Sequence, residues 1–171
     1  MGIRPGITTR DEALQLLKAS KWVEMDTVEV IDGTQGPTLT LQWNAKQPDL
    51  ISEWFGLSLV FQEFSPYRVA KMSFQIQYEM PLGSLNLALG RPSAYGGYLI
   101  MGKNFGMGQN SFAFDTYYDA YRIDLYTISA CPIRLDDLLK TKMVTINVYD
   151  SLPVHVTEPN LKNTLQIPDC Q

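Results

Sequence analysis

The side chains best suited to chemistry in this chain are few and far apart. Its single histidine, His155, lies between two valines, and its two cysteines are Cys131 and Cys170. A serine or cysteine nucleophile needs a general base within hydrogen-bond reach, and a structural zinc site needs a cluster of cysteine and histidine ligands. Because no Gly-x-Ser-x-Gly motif accompanies His155, we interpret it as a surface or strand-edge residue. We expect no catalytic residues, no bound metal and no cofactor.

A glycine-rich segment, Gly102–Gly108, invites comparison with a phosphate-binding loop. Such a loop ends in Gly-Lys-Ser/Thr and leads into a helix. Here a strand-like pattern beginning at Ser111 follows instead. We therefore interpret the segment as a hairpin loop, and within it Phe105 and Met107 are candidate contacts for a binding partner.

Three aspartates lie among tyrosines in the next stretch. Calcium loops need closely spaced oxygen ligands and a glycine for the turn, and that spacing is absent here. One interpretation is a β-hairpin whose tyrosine rings cover one face. The other is a recognition surface, because tyrosine combines a large rigid area with a polar group. The aspartates are Asp115, Asp119 and Asp124, and the candidate partner contacts are Tyr117, Tyr118 and Tyr121.

The elements that must position these residues begin with a helix. Thr9 followed by Glu12 forms a capping-box pattern, in which each side chain accepts from a backbone N–H at the helix start. After this helix the apolar period changes to two around an Asp32-Gly33 turn, which predicts an antiparallel hairpin. Two further strands are predicted at Gly56–Glu63 and Ala70–Tyr78.

The second half repeats the order of a helix followed by strands. A short apolar helix between Pro81 and Pro92 precedes four predicted strands, with one helical turn before the last. The strands are Tyr95–Met101, Ser111–Tyr117, Arg122–Ile128 and Met143–Tyr149, and the turn is Leu135–Lys140. The sequence therefore predicts an α+β fold of two tandem helix-plus-antiparallel-sheet units packed together, residues 5–80 and 81–150. Residues 151–171 are expected to be a C-terminal tail packed on the fold.

Composition and charge restrict the class of partner. The chain has 171 residues and a formal net charge of -4, and its basic residues are scattered, so we do not expect nucleic-acid binding. Its apolar stretches are far shorter than the roughly 20 residues that span a bilayer, so no transmembrane segment is predicted. The start of the sequence has no apolar signal core, which fits either a cytoplasmic protein or one whose targeting segment has been removed.

The two cysteines bear on the compartment. A disulfide between Cys131 and Cys170 would tie down the polar C-terminal tail, and such bonds persist mainly outside the cytosol. Two free buried thiols in a cytosolic protein are the alternative. We favour the bridge, and with it a periplasmic, secreted or cell-surface location.

Two sequence segments resemble one known family. The opening Pro5-Gly6-Ile7-Thr8-Thr9 and the second-half segment Leu82–Pro92 are similar to motifs of bacterial SmpA/OmlA-type envelope modules. The first helix departs from that pattern, since it lacks the Gly-x-Pro ending. The resemblance implies two tandem units with a fold like that of β-lactamase-inhibitory protein. It also implies scaffolding and protein binding rather than catalysis.

These observations favour a non-enzymatic binding or structural module of the bacterial cell envelope that interacts with another protein. The expected contact regions are a sheet face and the loops at 44–54 and 102–110, with Trp54 as a surface anchor. The alternative is a small hydrolase or ligand-binding carrier with a carboxylate-lined cleft between the two units.

Overall fold

The structure is a computed structural model that describes residues 2–33, 36–44, 46–47, 51, 56–76, 81–100, 110–132, 134–141 and 144–150. Within these ranges the chain forms three short α-helices, one 3-10 turn and eight strands. In chain order they are α1 (Arg10–Ala19), β1 (Val23–Gly33), β2 (Gly36–Trp43), β3 (Leu57–Phe61), β4 (Val69–Ile76), α2 (Leu82–Leu89), β5 (Ala94–Ile100), β6 (Ser111–Tyr118), the turn Asp119–Tyr121, β7 (Ile123–Ala130), α3 (Leu135–Leu139) and β8 (Val144–Tyr149).

The strands share one hydrogen-bonded order, β1-β2-β3-β4-β8-β7-β6-β5. The prediction of two tandem helix-plus-sheet units is therefore wrong: the described fold is mostly one antiparallel sheet with short helices. The repeated pattern at residue 81 correctly indicates where elements begin, but it carries no information about which strands pair. β8 falls between β4 and β7 in the order, and it supplies backbone partners that both strands would otherwise lack.

Contacts divide the chain into two compact units. The first holds residues 1–77 together with 146–151, and the second begins at residue 78. The end of β8 thus belongs to the first unit although it comes late in the chain.

In the first unit, α1 begins with the predicted capping box. The Thr9 N–H donates to Glu12 Oε2 at 2.8 Å, and the Glu12 N–H donates to Thr9 Oγ1 at 3.4 Å. Glu12 Oε2 accepts from the backbone N–H of Thr9 and from its hydroxyl. These two hydrogen bonds, the first above all, hold the pKa of the Glu12 carboxyl below its usual value. The prediction of a capping box is confirmed.

The core of the first unit lies between α1 and one face of the β1–β4 strands. Alternate residues of β2 are buried there, as a strand with one covered face requires. Leu17 of α1 has no exposed surface and belongs to the same cluster. The buried members from the strands include Leu39, Leu41, Trp43, Leu57, Leu59 and Phe61.

The end of β8 is held beside β4 by backbone and side-chain hydrogen bonds. The Asp150 N–H donates to the Ala70 carbonyl at 2.9 Å, and Ser73 Oγ donates to Asn147 Oδ1 at 2.6 Å. Gln62 Nε2 donates to Asp150 Oδ2 at 2.9 Å. These contacts attach a segment from the end of the described chain to the first unit.

In the second unit, α2 and α3 approach closely. The Leu82 N–H donates to the Thr141 carbonyl at 3.0 Å. A Cβ on Gly83 would lie 3.1 Å from the Leu139 carbonyl oxygen, so glycine suits this approach. Tyr118 of β6 donates from its hydroxyl to Asn86 Oδ1 of α2 at 2.6 Å, which fixes α2 against the β5–β6–β7 strands.

Candidate functional site

The most distinctive surface in the described residues is β1, which ends the strand order. β2 is its one neighbour in that order, so no strand of the described residues lies beside the opposite backbone edge of β1. Edge strands present unpaired N–H and C=O groups that can pair with another chain. β1 is therefore the first place to look for an interaction site.

A bulge divides β1 into two parts. Val23 and Glu24 pair with Trp43 and Gln42, and regular pairing resumes only at Glu29. Within the bulge, Thr27 Oγ1 donates to the Glu24 carbonyl at 2.7 Å and accepts from the Gln42 N–H at 2.9 Å. The Thr27 side chain thus replaces ladder bonds that the bulge removes. Residues 29–33 form the regular part of the strand.

Two large apolar side chains are exposed on this regular part. Val30 pairs with Leu39, which has no exposed surface, and Ile31 pairs with Thr38. Because successive side chains of a strand point to opposite faces, Val30 lies on the core face and Ile31 on the opposite one. Each keeps 53% of its surface exposed. The strand therefore offers apolar surface on both faces.

The charged side chains of β1 are acidic. Glu24, Asp26 and Glu29 are exposed, and none forms an ion pair with another residue that the structure describes. An ion pair elsewhere in the described residues joins Arg10 and Asp11, at 3.8 Å. Between Lys21 and Lys46 the sequence contains no lysine or arginine. β1 therefore combines an open backbone edge, exposed aliphatic groups and uncompensated negative charge.

The tyrosines predicted as partner contacts separate into buried and exposed residues. Tyr117 is 7% exposed and Tyr118 is 2% exposed, whereas Tyr121, in the 3-10 turn after β6, is 55% exposed. Burial raises the pKa of Tyr118 to about 12, and the nearby Tyr95 adds to the effect. Of these three rings, only that of Tyr121 presents a substantial surface to solvent.

The three aspartates of this region also differ in position and exposure. Asp115 pairs with Tyr126, and Tyr117 pairs with Asp124, so the two carboxyl groups lie diagonally on one face of β6 and β7. Asp124 is only 3% exposed. Asp119 lies apart in the exposed turn, where its N–H donates to Ser93 Oγ at 3.0 Å. No group of three or more potential metal ligands occurs among the described residues.

Several predicted positions lie outside the described residues. They are Trp54, Phe105, Met107, His155 and Cys170, with most of the loops at 44–54 and 102–110 and the tail at 151–171. Cys131 directly follows β7, and its N–H donates to the Asn110 carbonyl at 3.0 Å. The described part of the chain holds no free cysteine. The bridge to Cys170 stays a prediction.

Comparison with known proteins leaves the chain without an assigned family: no protein-family model, curated protein or solved structure matches it. The similarity to SmpA/OmlA-type modules therefore remains a resemblance of short motifs. Among the described residues, no helix combines the length and apolar character needed to cross a bilayer. The functional argument rests on the surface itself.

Sequence reasoning missed β1 as a site. The alternation around Val28 and Val30 correctly predicts a strand, but an amphipathic strand is expected to bury its apolar face. Two features of the sequence could have indicated this site. Val30 and Ile31 are consecutive aliphatic residues, and they lie in a stretch that contains no basic residue. A strand buried on one face does not need apolar side chains on both.

Proposed function

We propose that this chain is a non-enzymatic protein-binding module of the bacterial cell envelope. The observation that carries the binding proposal is β1, where an open strand edge bears Val30 and Ile31, each 53% exposed. Natural edge strands are usually protected by lysines, prolines or bulges. The bulge at Thr27 protects the first part of β1, whereas residues 29–33 have regular register and contain no lysine or proline.

Binding a protein there would remove apolar surface from water. A fully buried valine or isoleucine side chain contributes roughly 1.5–3 kcal/mol relative to an exposed one. Val30 and Ile31 are each about half exposed, so only part of that free energy is available from each. Main-chain hydrogen bonds along the edge would add affinity, and contacts of alternate side chains would supply specificity.

The decisive experiment is site-specific photo-crosslinking in cells. A photoreactive amino acid replaces Ile31, and in a matched control it replaces Ser84, an exposed residue of α2. We expect a discrete crosslinked protein from position 31 and none from position 84. Identical patterns from both positions, or no adduct from position 31, would contradict the binding proposal.

The envelope location is tested separately through the cysteines. The expected bridge between Cys131 and Cys170 would form in an oxidising compartment and persist there. Intact mass after alkylation, with and without reductant, counts free thiols in protein isolated from cells. We expect no alkylation before reduction and two alkylated thiols after it. Two thiols reacting without reductant would argue against both the bridge and the extracytoplasmic location.

A further inference from the structure

We infer that residues 29–33 of β1 bind an extended segment of a partner protein by strand addition, and that this segment carries lysine or arginine among apolar residues. The inference rests on the proposed function and names the kind of partner and the mode of contact.

The backbone supports strand addition at this position. Five consecutive pairs, from Glu29 with Thr40 to Gly33 with Gly36, run without a register shift. A regular strand presents outward N–H and C=O groups at the spacing that an added strand needs. The bulge before Glu29 breaks that spacing and therefore sets one limit of the site.

The side chains define what the added strand must carry. Glu29 and Ile31 pair with Thr40 and Thr38, so they share the face opposite the core, while Val30 lies on the core face. An added strand would place its own side chains beside these groups on both faces. Apolar residues fit beside Val30 and Ile31, and a cation fits beside Glu29.

Charge favours a basic segment of another protein over a second copy of this chain as the occupant of the β1 edge. Two β1 strands pairing edge to edge would bring together strands that each carry Glu24, Asp26 and Glu29 and no basic residue. Like charges on neighbouring strands are destabilising, whereas opposite charges favour pairing and speed encounter. The complementary occupant is therefore basic.

The test uses the full chain and three fluorescent peptides. The first is a valine peptide with lysine at every fourth position, the second has glutamate at those positions, and the third is the lysine peptide with N-methyl groups at alternate backbone nitrogens. We expect the lysine peptide to bind at least about tenfold more tightly than the glutamate peptide, by fluorescence anisotropy at low salt. The N-methylated peptide should lose that affinity because it cannot complete the ladder.

Variants locate the binding. Glu29→Lys should weaken binding of the lysine peptide by about tenfold and strengthen binding of the glutamate peptide. Asp136→Lys, at an exposed acidic residue of α3, is the matched control and should change neither. Hydrogen exchange should show new protection of backbone amides within residues 29–33 when the lysine peptide binds.

Each contrary outcome has a distinct meaning. Equal binding of the N-methylated peptide would overturn strand addition, and equal binding of the lysine and glutamate peptides would overturn the basic partner. A concentration-dependent dimer that Glu29→Lys changes would assign the edge to a second copy. If these peptides fail while position 31 still crosslinks a protein, the inference falls and the proposed function stands. If crosslinking fails as well, both fall.

Discussion

Strands β1 and β6 pair with their neighbours in the same antiparallel manner, yet β1 keeps Val30 and Ile31 half exposed, whereas all of β6 except Asp115 is buried. β6 has one charged residue, Asp115, whereas β1 has four, so composition accounts for part of this difference. The difference also lies in position: β6 has strands on both sides, and β1 has one. Position in the sheet and composition both favour burial of β6.

The two strands also tolerate polar groups differently. Thr116 of β6 has no exposed surface, and its Oγ1 lacks a hydrogen-bond partner. A buried unsatisfied polar group costs roughly 1–3 kcal/mol. At the β1 edge, three carboxylates remain in water and avoid that cost. The buried strand therefore carries a polar cost that the exposed carboxylates of β1 do not.

The largest effect should come from Phe114→Ala in β6. Phe114 is 3% exposed and stacks against Tyr95 with ring centroids 6.1 Å apart. Removing a buried phenylalanine leaves a cavity and typically costs about 3–5 kcal/mol. The free energy of unfolding from urea titration measures it. If Phe114→Ala lowers the free energy of unfolding no more than Ser84→Ala does at an exposed site, Phe114 is not part of a buried core.

A smaller loss is expected from Gly97→Ala in β5. The added Cβ would lie 2.5 Å from Cζ of Phe112, which is buried, and 2.9 Å from the Ala113 carbonyl oxygen. Forcing extra atoms into a packed region typically costs about 1–3 kcal/mol. Urea titration measures the loss, and Ser84→Ala, at an exposed residue of α2, is the control for a substitution to alanine that adds no atoms to a packed region. Equal midpoints would mean that β6 can shift to make room.

Tyr118→Phe should cost about 1 kcal/mol at neutral pH, because it removes the hydrogen bond to Asn86. It should also change the alkaline behaviour. The folded pKa of Tyr118 is raised to about 12 from an ordinary value of 10.0. The unfolded chain therefore ionises first, and the contribution of Tyr118 to stability is present below pH 10 and is lost as pH rises from 10 to 12.

The measurement for Tyr118 is the urea midpoint at pH 8 and at pH 11. The wild-type protein should lose more stability between these pH values than Tyr118→Phe does. Parallel losses would show that the ring is not protected by burial.

At the edge strand, Thr27→Val should cost about 1 kcal/mol, because valine keeps the shape but loses both bonds of the bulge. Thr38→Val, in the neighbouring β2, is the matched control. Hydrogen exchange should show faster opening at the Gln42 amide in the Thr27 variant alone. Unchanged exchange there would mean that the bulge is held by its backbone.

The smallest effect should come from Ile31→Thr. A surface substitution outside caps, cores and networks usually changes stability by no more than about 0.5 kcal/mol. Urea titration should therefore show an almost unchanged midpoint, while binding at the edge weakens. A loss comparable to that of Phe114→Ala would mean that Ile31 serves the fold and not an interaction.

The sequence predicted local elements well, because their signals are local. The Thr9–Glu12 capping box, the hairpin of β1 and β2 and the helix ending at Gly90 all depend on residues close together in the chain. The pairing of β8 with β4 depends on contacts such as Ser73 with Asn147, 74 positions apart. No periodicity encodes such a partner, and the α+β prediction of two separate sheets failed for that reason.

The same limit applies to the candidate site. Tyr117 and Tyr118 were proposed as surface residues from their type, and their burial follows from the strands and the helix around them. The sequence predicted a strand at Val30 and did not single out Ile31, and the exposure of both follows from lying on the last strand in the order. Residue type indicates what a side chain can do, and topology decides which surface it reaches.

The late arrival of β8 has a consequence for biosynthesis. The side-chain amide of Gln62 can donate to Asp150 only after the ribosome has added that residue, which lies 88 positions further along the chain. At roughly 5–20 residues per second of translation, the first unit stays incomplete for about 4–15 seconds after residue 77 is made. During that interval β4 lacks its β8 partner, and nascent chains on one polysome can pair through it. A chaperone that shields β4 during that interval should therefore raise the yield of folded protein.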